Sequence, residues 1–197
     1  MKTFRITKEH EFLNAVKDVI KQLERQEQKI ADVVHILNDA RANNRTVFIC
    51  GNGGSAGTSI HLASDLFKMT GLKAISLNCN MPLTTAIVND DGWENLYFKQ
   101  LGVLFKAGDV LIVISVHGGT GMDKADLWSQ NLLKAVDYAQ ENDGTVIGLS
   151  GCDGGEFNDM CDINIVVPSD STPIIESMHC LLGHLITHIF KENGKTK

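Results

Sequence analysis

The chain lacks the features that would assign it to several whole classes of protein. No apolar stretch approaches the roughly 20 residues of a membrane-spanning helix. The opening segment MKTFRITKEHEF has no apolar core of the kind found in signal peptides. Basic residues are not in excess, because 18 Lys and Arg stand against 24 Asp and Glu and the net charge is −6. We therefore expect a cytoplasmic protein that binds neither nucleic acid nor a membrane.

Cysteine is scarce and scattered. The five cysteines are Cys50, Cys79, Cys152, Cys161 and Cys180. Their number is odd and no CxxC pair occurs, which argues against a disulfide framework and against a zinc ribbon. Small buried thiols in a cytosolic protein are the interpretation that fits.

A length of 197 residues suffices for one domain with a sizeable core. Apolar residues at helical spacing over 8–42 predict one or two amphipathic helices, with a break near 26–29. Short apolar runs then alternate with helical patterns, which indicates an α/β fold with an open parallel sheet and helices on both faces. We expect strands at 46–50, 73–77, 110–115, 145–149 and 162–167, and helices at about 56–69, 94–106, 123–142 and 173–192. The single domain would comprise an N-terminal helical segment (1–44), an α/β core (45–192) and a frayed tail (193–197).

The sequence CGNGGS at 50–55 directly follows the first apolar run. A buried strand that ends in a glycine-rich turn before a helix is typical of a phosphate site. The glycines allow backbone N–H groups to approach an oxyanion, and the side chains of Asn52 and Ser55 can add hydrogen bonds.

A second loop of this kind, ISVHGGTG at 114–121, follows the third apolar run. Ser115, Thr120 and the glycine N–H groups would surround a phosphate. His117 is ambiguous, because it would serve equally as a ligand to phosphate or sugar and as a turn residue exposed to water. Two such loops at adjacent strand ends predict one phosphate pocket.

Titratable residues recur at helical spacing on two predicted helices. His61 and Asp65 are separated by four residues and share one helix face. Glu176 and His184 are eight apart on the last helix, about 80° around its axis, so both can face one cavity. Together the four side chains form a candidate site for a divalent metal, provided that the two helices meet.

The segment 85–93 has a polar centre between apolar flanks. Asn89 and Asp90 are candidates for binding sugar hydroxyls. The pattern favours a simple turn at Asp91-Gly92, with Asn89 as a helix cap.

Taken in order, these motifs resemble the phosphoheptose isomerase family of the sugar isomerase (SIS) superfamily over nearly the whole chain. The landmarks are CGNGGS at 50–55, H-x-x-x-[ED] at 61–65, T-A-I-x-N-D at 85–90, G-D-V-L-I-x-I-S at 108–115, L-[ST]-G-x-D-G-G at 149–155 and [QE]-x-x-H-x-x-x-x-H at 176–184. The resemblance implies an open five-stranded parallel sheet and a homotetramer with active sites at subunit interfaces. It also implies a divalent metal, zinc, and the isomerisation of a phosphorylated sugar, sedoheptulose 7-phosphate, to its aldose.

The resemblance also implies roles for individual residues. The metal ligands would be His61, Asp65, Glu176 and His184. Asp65 and His184 would be the catalytic acid/base pair. Contacts to phosphate and sugar would come from Asn52, Gly53, Gly54, Ser55, Asp65, Asn89, Asp90, Ser115, Val116, His117, Thr120 and Glu176, with Val116 and His117 acting through their backbone.

The chain departs from the family pattern at three places. Asp65 stands where the family usually has Glu, and Glu176 where it usually has Gln. The phosphate loop reads S-V-H-G-G-T rather than S-T-S-G-N-S, which removes two hydroxyls and adds an imidazole. These departures bear on the sugar that is bound more than on the fold.

An alternative from another functional class is a non-catalytic SIS-fold module that binds a sugar phosphate or a protein, as in the replication-initiator-associating proteins. Such a module does not need His61, Asp65, Glu176 and His184 in one pocket. The presence of all four favours the enzyme.

Overall fold

The computed structural model of the protein describes residues 8–119 and 129–193. Five strands form the sheet: β1 Thr46–Gly51, β2 Lys73–Ser76, β3 Val110–Ser115, β4 Thr145–Gly151 and β5 Ile163–Val167. The helices are α1 Lys8–Leu23, α2 Glu27–Ala42, α3 Gly54–Thr70, α4 Met81–Asp90, α5 Leu96–Leu104, α6 Gln130–Glu141, α7 Phe157–Met160 and α8 Thr172–Asn193. Within the described residues, no helix is long and apolar enough to cross a membrane.

The sheet is parallel throughout, with the strand order β2-β1-β3-β4-β5. The chain moves from β1 outwards to β2 and then returns to place β3 on the other side of β1. This reversal makes the crevice beyond the carboxyl ends of β1 and β3 the expected ligand site of an open α/β sheet. Gly51 at the end of β1 pairs with Ile114 in β3, so the loops that follow both strands leave from the same edge.

Helices cover both faces of the sheet, as the apolar runs predicted. Along β1, Val47 and Ile49 face a core formed with α1, α2, α3 and α8. Phe48 and Cys50 face the opposite core, to which α4, α5, α6 and α7 contribute. Strands buried on both faces carry no polar alternation, which is why they appear in the sequence as continuous apolar runs.

The predicted break in the N-terminal helical segment is confirmed, and it lies slightly earlier than expected. A single 3₁₀ turn at Glu24–Gln26 separates α1 from α2. The Gln26 amide pairs with the backbone of Val166 in β5, at 2.6 Å and 3.0 Å, which ties the break to the edge of the sheet.

The structure corrects the interpretation of the segment 85–93. Asn89 is not a helix cap, because it lies in the last turn of α4. The cap at the start of that helix is Asn80, whose side chain accepts a hydrogen bond from the Leu83 N–H at 3.1 Å. Ile87 is the only residue of α4 that is buried, so the helix has too little apolar periodicity to be recognised from sequence.

Candidate active site

The glycine turn after β1 is shaped by close contacts between backbone atoms. A Cβ on Gly51 would lie 2.8 Å from backbone atoms of Ser55. Gly53 has φ +58°, a conformation that favours glycine. The Ser55 N–H donates to the Asn52 carbonyl at 3.0 Å, which folds the chain into the first turn of α3. The predicted strand–turn–helix is therefore present, with Ser55 buried and Gly53 and Gly54 exposed.

Beneath this turn lies a polar network that the sequence did not reveal. The Tyr97 hydroxyl donates to the Gly51 carbonyl at 2.6 Å, and the Asn78 amide donates to the same carbonyl at 3.0 Å. Burial raises the pKa of Tyr97 above its usual range, so the hydroxyl keeps its proton. Asn52 and Asn131 exchange amide hydrogen bonds of 3.0 Å and 2.9 Å. The network joins the glycine turn to α5 and α6 and holds Asn52 in place.

The loop after β3 is held against the loop after β4. A Cβ on Gly118 would lie within 1.9 Å of the Gly154 carbonyl oxygen, and Gly118 has φ +63°. The Val116 carbonyl accepts from the Gly151 N–H at 3.1 Å. Ser115 closes the loop on itself, because its Oγ accepts from the Gly119 N–H at 3.3 Å. Its hydroxyl therefore lies at the start of the loop.

His117 and Thr120 are two further residues of this loop that were predicted to contact the phosphate or the sugar. His117 is half-buried, and its Nδ1 lies 3.6 Å from the Cys152 sulfur. Thr120 lies outside the described residues.

The two predicted metal-binding helices do meet. α8 packs on α3 at Gly183, where an added Cβ would contact the Leu62 side chain at 3.5 Å. At this crossing the side chains of α3 and α8 approach across a shallow cleft lined by Thr58, His61, Leu62, Asp65, Cys180, Gly183 and His184.

Three of the four predicted metal ligands converge in this cleft. His61 Nε2 and His184 Nε2 are 3.3 Å apart. Asp65 Oδ2 lies 3.4 Å from His61 Nε2 and 3.7 Å from His184 Nε2. The two imidazoles are about half exposed, whereas the Asp65 side chain is 22% exposed. Two ring nitrogens and one carboxylate oxygen at these separations fit a divalent metal such as zinc.

Glu176, the fourth predicted ligand, lies elsewhere along the same pair of helices. Its carboxylate sits at Gly54, where an added Cβ would meet Oε1 at 2.3 Å. Glu176 is thus beside the glycine turn, at the start of α3, where the partial positive charge of the helix favours a carboxylate.

Cys180 lies near the two histidines, although the sequence motifs did not indicate it as a site residue. The ligand atoms of His61, Cys180 and His184 all lie within 4.8 Å of one another. The signal was available in the sequence, since Cys180 precedes His184 by four residues and shares its helix face. It was missed because a scattered cysteine is more often an ordinary buried thiol.

Asn89 and Asp90 are both exposed at the end of α4. The Asn89 amide donates to the Asp90 carboxylate at 2.6 Å. Neither residue lines the cleft between α3 and α8.

Comparison with known proteins gives one consistent answer. A family model described as SIS domain matches residues 11–151. A phosphoheptose isomerase from Helicobacter pylori (strain ATCC 700392 / 26695) is 37% identical over 181 residues, covering 89% of this chain and 90% of the relative. The solved phosphoheptose isomerase from Neisseria gonorrhoeae superposes with a TM-score of 0.83 at 31% identity, over 92% of this chain and 95% of that one. The enzyme from Francisella tularensis gives a TM-score of 0.85 at 27% identity, over 96% and 100% of the two chains.

Proposed function

Since the chain belongs to the phosphoheptose isomerase family of SIS-domain proteins, we propose that it interconverts sedoheptulose 7-phosphate and D-glycero-D-manno-heptose 7-phosphate. The chain is an aldose–ketose isomerase, whose reaction moves hydrogen between C1 and C2 of the sugar. The observation that supports this proposal most directly is the convergence of His61, Asp65 and His184 within 3.7 Å, on α8 and on the helix α3 that follows the glycine turn after β1.

The reaction requires two proton-handling groups on the substrate. The Asp65 carboxylate accepts the proton from C1 of the ketose while His184 protonates the oxygen on C2, which yields an enediol. Return of a proton to C2, with loss of the hydroxyl proton at C1, gives the aldose. Asp65 and His184 come from different helices, so they can reach neighbouring atoms of one sugar.

The metal proposal rests on the donor set rather than on a bound ion. His61, Asp65 and His184 present nitrogen and oxygen atoms that suit zinc. A divalent cation bound there would supply positive charge that stabilises the developing enediolate. The resemblance adds Glu176 to this set, and the position of Glu176 at Gly54 also suits contact with the substrate.

The phosphate would be held between the loops that follow β1 and β3. Gly53 and Gly54 present N–H groups at the start of α3, where Ser55 follows them, and Ser115 begins the loop on the neighbouring strand. Asn52, Val116, His117 and Thr120 would complete the contacts, with Asn89 and Asp90 reaching the sugar from α4. Remote binding of the phosphate fixes the reacting carbons and so lowers the barrier.

We also propose that the active form is a homotetramer in which a second copy covers the cleft. Ile60 and Phe67 on α3 and Leu181 and Leu185 on α8 are exposed apolar residues on the two helices that carry His61 and His184. Exposed apolar patches of this kind mark interaction surfaces. Light scattering should report a tetramer, and a fully active monomer would contradict this part of the proposal.

The direct test is to incubate the protein with sedoheptulose 7-phosphate and to follow the aldose product. Turnover that is lost in His184→Gln and kept in His188→Gln supports the proposal. His188 is a suitable control because it is an exposed histidine on the same helix, outside the cleft. Binding of the sugar phosphate without any turnover would instead favour the non-catalytic SIS module.

A further inference from the structure

We propose that Cys180 is a metal ligand of this site. Its sulfur would add a donor to the nitrogen and oxygen donors of His61, Asp65 and His184. The inference depends on the proposed function in one respect, namely that the cleft between α3 and α8 holds a divalent metal. It differs from the ligand set that the family resemblance implies.

The separations of the donor atoms support a shell that contains Cys180. In a tetrahedral zinc site with bonds of about 2.0–2.3 Å, ligand atoms lie about 3.3–3.8 Å apart. The two histidine nitrogens and the Asp65 oxygen already have this spacing, at 3.3 Å, 3.4 Å and 3.7 Å. Cys180 Sγ and one ring nitrogen of each histidine lie within 4.8 Å of one another, so rotation of the Cys180 side chain towards the histidines would bring its sulfur into the shell.

The helix geometry explains why Cys180 reaches this point. Cys180 and His184 are one turn apart on α8, and His61 and Asp65 are one turn apart on α3. These two pairs face each other across the crossing at Gly183. The Glu176 carboxylate lies at Gly54, and Gly54 precedes His61 by seven residues, or about 10 Å along the helix axis. The Glu176 carboxylate therefore lies at the start of α3, whereas Cys180 lies at the level of the histidines.

The chemistry of the resulting shell is specific. Zinc accepts nitrogen, oxygen and sulfur donors, whereas magnesium and calcium favour oxygen. The thiol would release its proton to solvent on binding, and the thiolate and Asp65 would together balance the two charges of the metal. A thiolate in the shell therefore selects a zinc-like metal.

Cobalt(II) substitution tests the proposal by spectroscopy and not by activity. The protein, kept reduced, is titrated with Co²⁺, and the near-ultraviolet region is examined for thiolate-to-cobalt charge transfer. We expect this band in the wild type, in Cys79→Ala and in Glu176→Gln, and its loss in Cys180→Ser. Cys79 is a matched control because it is an exposed cysteine outside the cleft. Zinc affinity should fall by at least about 10–100-fold in Cys180→Ser, since loss of even an outer-shell partner has an effect of that size.

A second measurement uses the unmodified chain and does not depend on the folding of any variant. Zinc should protect Cys180 from alkylation by iodoacetamide while Cys79 reacts at the same rate with and without metal. If cobalt binds and shows no charge-transfer band, or if zinc leaves the alkylation of Cys180 unchanged, Cys180 is not a ligand and the proposed function is unaffected. If the wild type binds no divalent metal, both this inference and the proposed metal are wrong.

Discussion

Protonation of His179 should control the stability of this protein in acid. His179 lies on α8 and is fully buried, and its Nε2 is 3.0 Å from the Ser150 carbonyl oxygen at the end of β4. Because a carbonyl can only accept, Nε2–H is the donor. Nδ1 is buried and has no hydrogen-bond partner among the described residues. A second proton on this ring would place an unpaired charge in the core.

The expected magnitude follows from the pKa of this imidazole. Burial lowers the pKa of His179 from 6.5 to about 4, and the hydrogen bond to Ser150 opposes the change only in part. A pKa difference of about 2.5, at 1.36 kcal/mol for each pH unit, corresponds to about 3 kcal/mol. The unfolded chain binds this proton first as the pH falls. The free energy of unfolding should therefore be fully maintained above pH 6.5, should decrease as the pH falls from 6.5 to about 4, and should level off below that.

Urea denaturation of the wild type and of His179→Gln, at a series of pH values between about 7.5 and 4, measures this effect. Glutamine does not titrate, and its amide can still donate to Ser150. The wild type should lose about 3 kcal/mol relative to this variant across the range. His188→Gln controls for the general effect of removing a histidine, because His188 is exposed on the same helix. A difference between wild type and His179→Gln that stays constant with pH would refute the buried neutral imidazole.

Three other perturbations test the site and its supports. Asp65→Asn and His184→Gln should each lower kcat by about 10²–10⁴-fold with unchanged circular dichroism. If a variant keeps its metal and still exchanges substrate hydrogen with deuterated water at the wild-type rate, the residue that was replaced is not the base. Gly118→Ala places a Cβ against the Gly154 carbonyl at a residue with φ +63°, and should lower the free energy of unfolding by at least about 1–3 kcal/mol. Unchanged thermal unfolding would contradict the packing of the two loops. Tyr97→Phe removes a buried donor to the glycine turn and should cost about 1–3 kcal/mol in urea denaturation, while an unchanged midpoint would show that Asn78 and water suffice.

The elements of the sheet were predictable because buried parallel strands appear as continuous apolar runs. β3 was predicted with the bounds that the structure shows, and the other strands agree within two residues at each end. Both glycine turns were predicted for the same reason, since they directly follow such runs. α4 was missed, because a helix that buries a single residue carries almost no periodic signal.

The candidate site was predictable only within each helix. The spacing of four residues places His61 with Asp65, and Cys180 with His184, because side chains one turn apart share a face. Glu176 was grouped with His184 because a spacing of eight residues, about 80° around the helix axis, still allows both side chains to face one cavity. The angle of a residue around its own helix does not show which part of the neighbouring helix its side chain will lie against.

The polar network under the glycine turn was beyond the reach of sequence patterns. Asn78, Tyr97 and Asn131 come from three separate parts of the chain, and each resembles an ordinary polar or aromatic residue in its own segment. Their hydrogen bonds to Gly51 and Asn52 exist only because β1, the loop after β2, α5 and α6 pack together.

The sequence by itself determined the alternation of strands and helices, the two glycine turns and the helix faces that carry titratable groups, because these depend on neighbours within a few residues. Tertiary structure decided where α8 crosses α3. Gly183 and Leu62 lie at that crossing, which brings Cys180 to the histidines and places Glu176 at Gly54. Contacts between segments more than one hundred residues apart depend on how complementary surfaces pack, and no local periodicity encodes that.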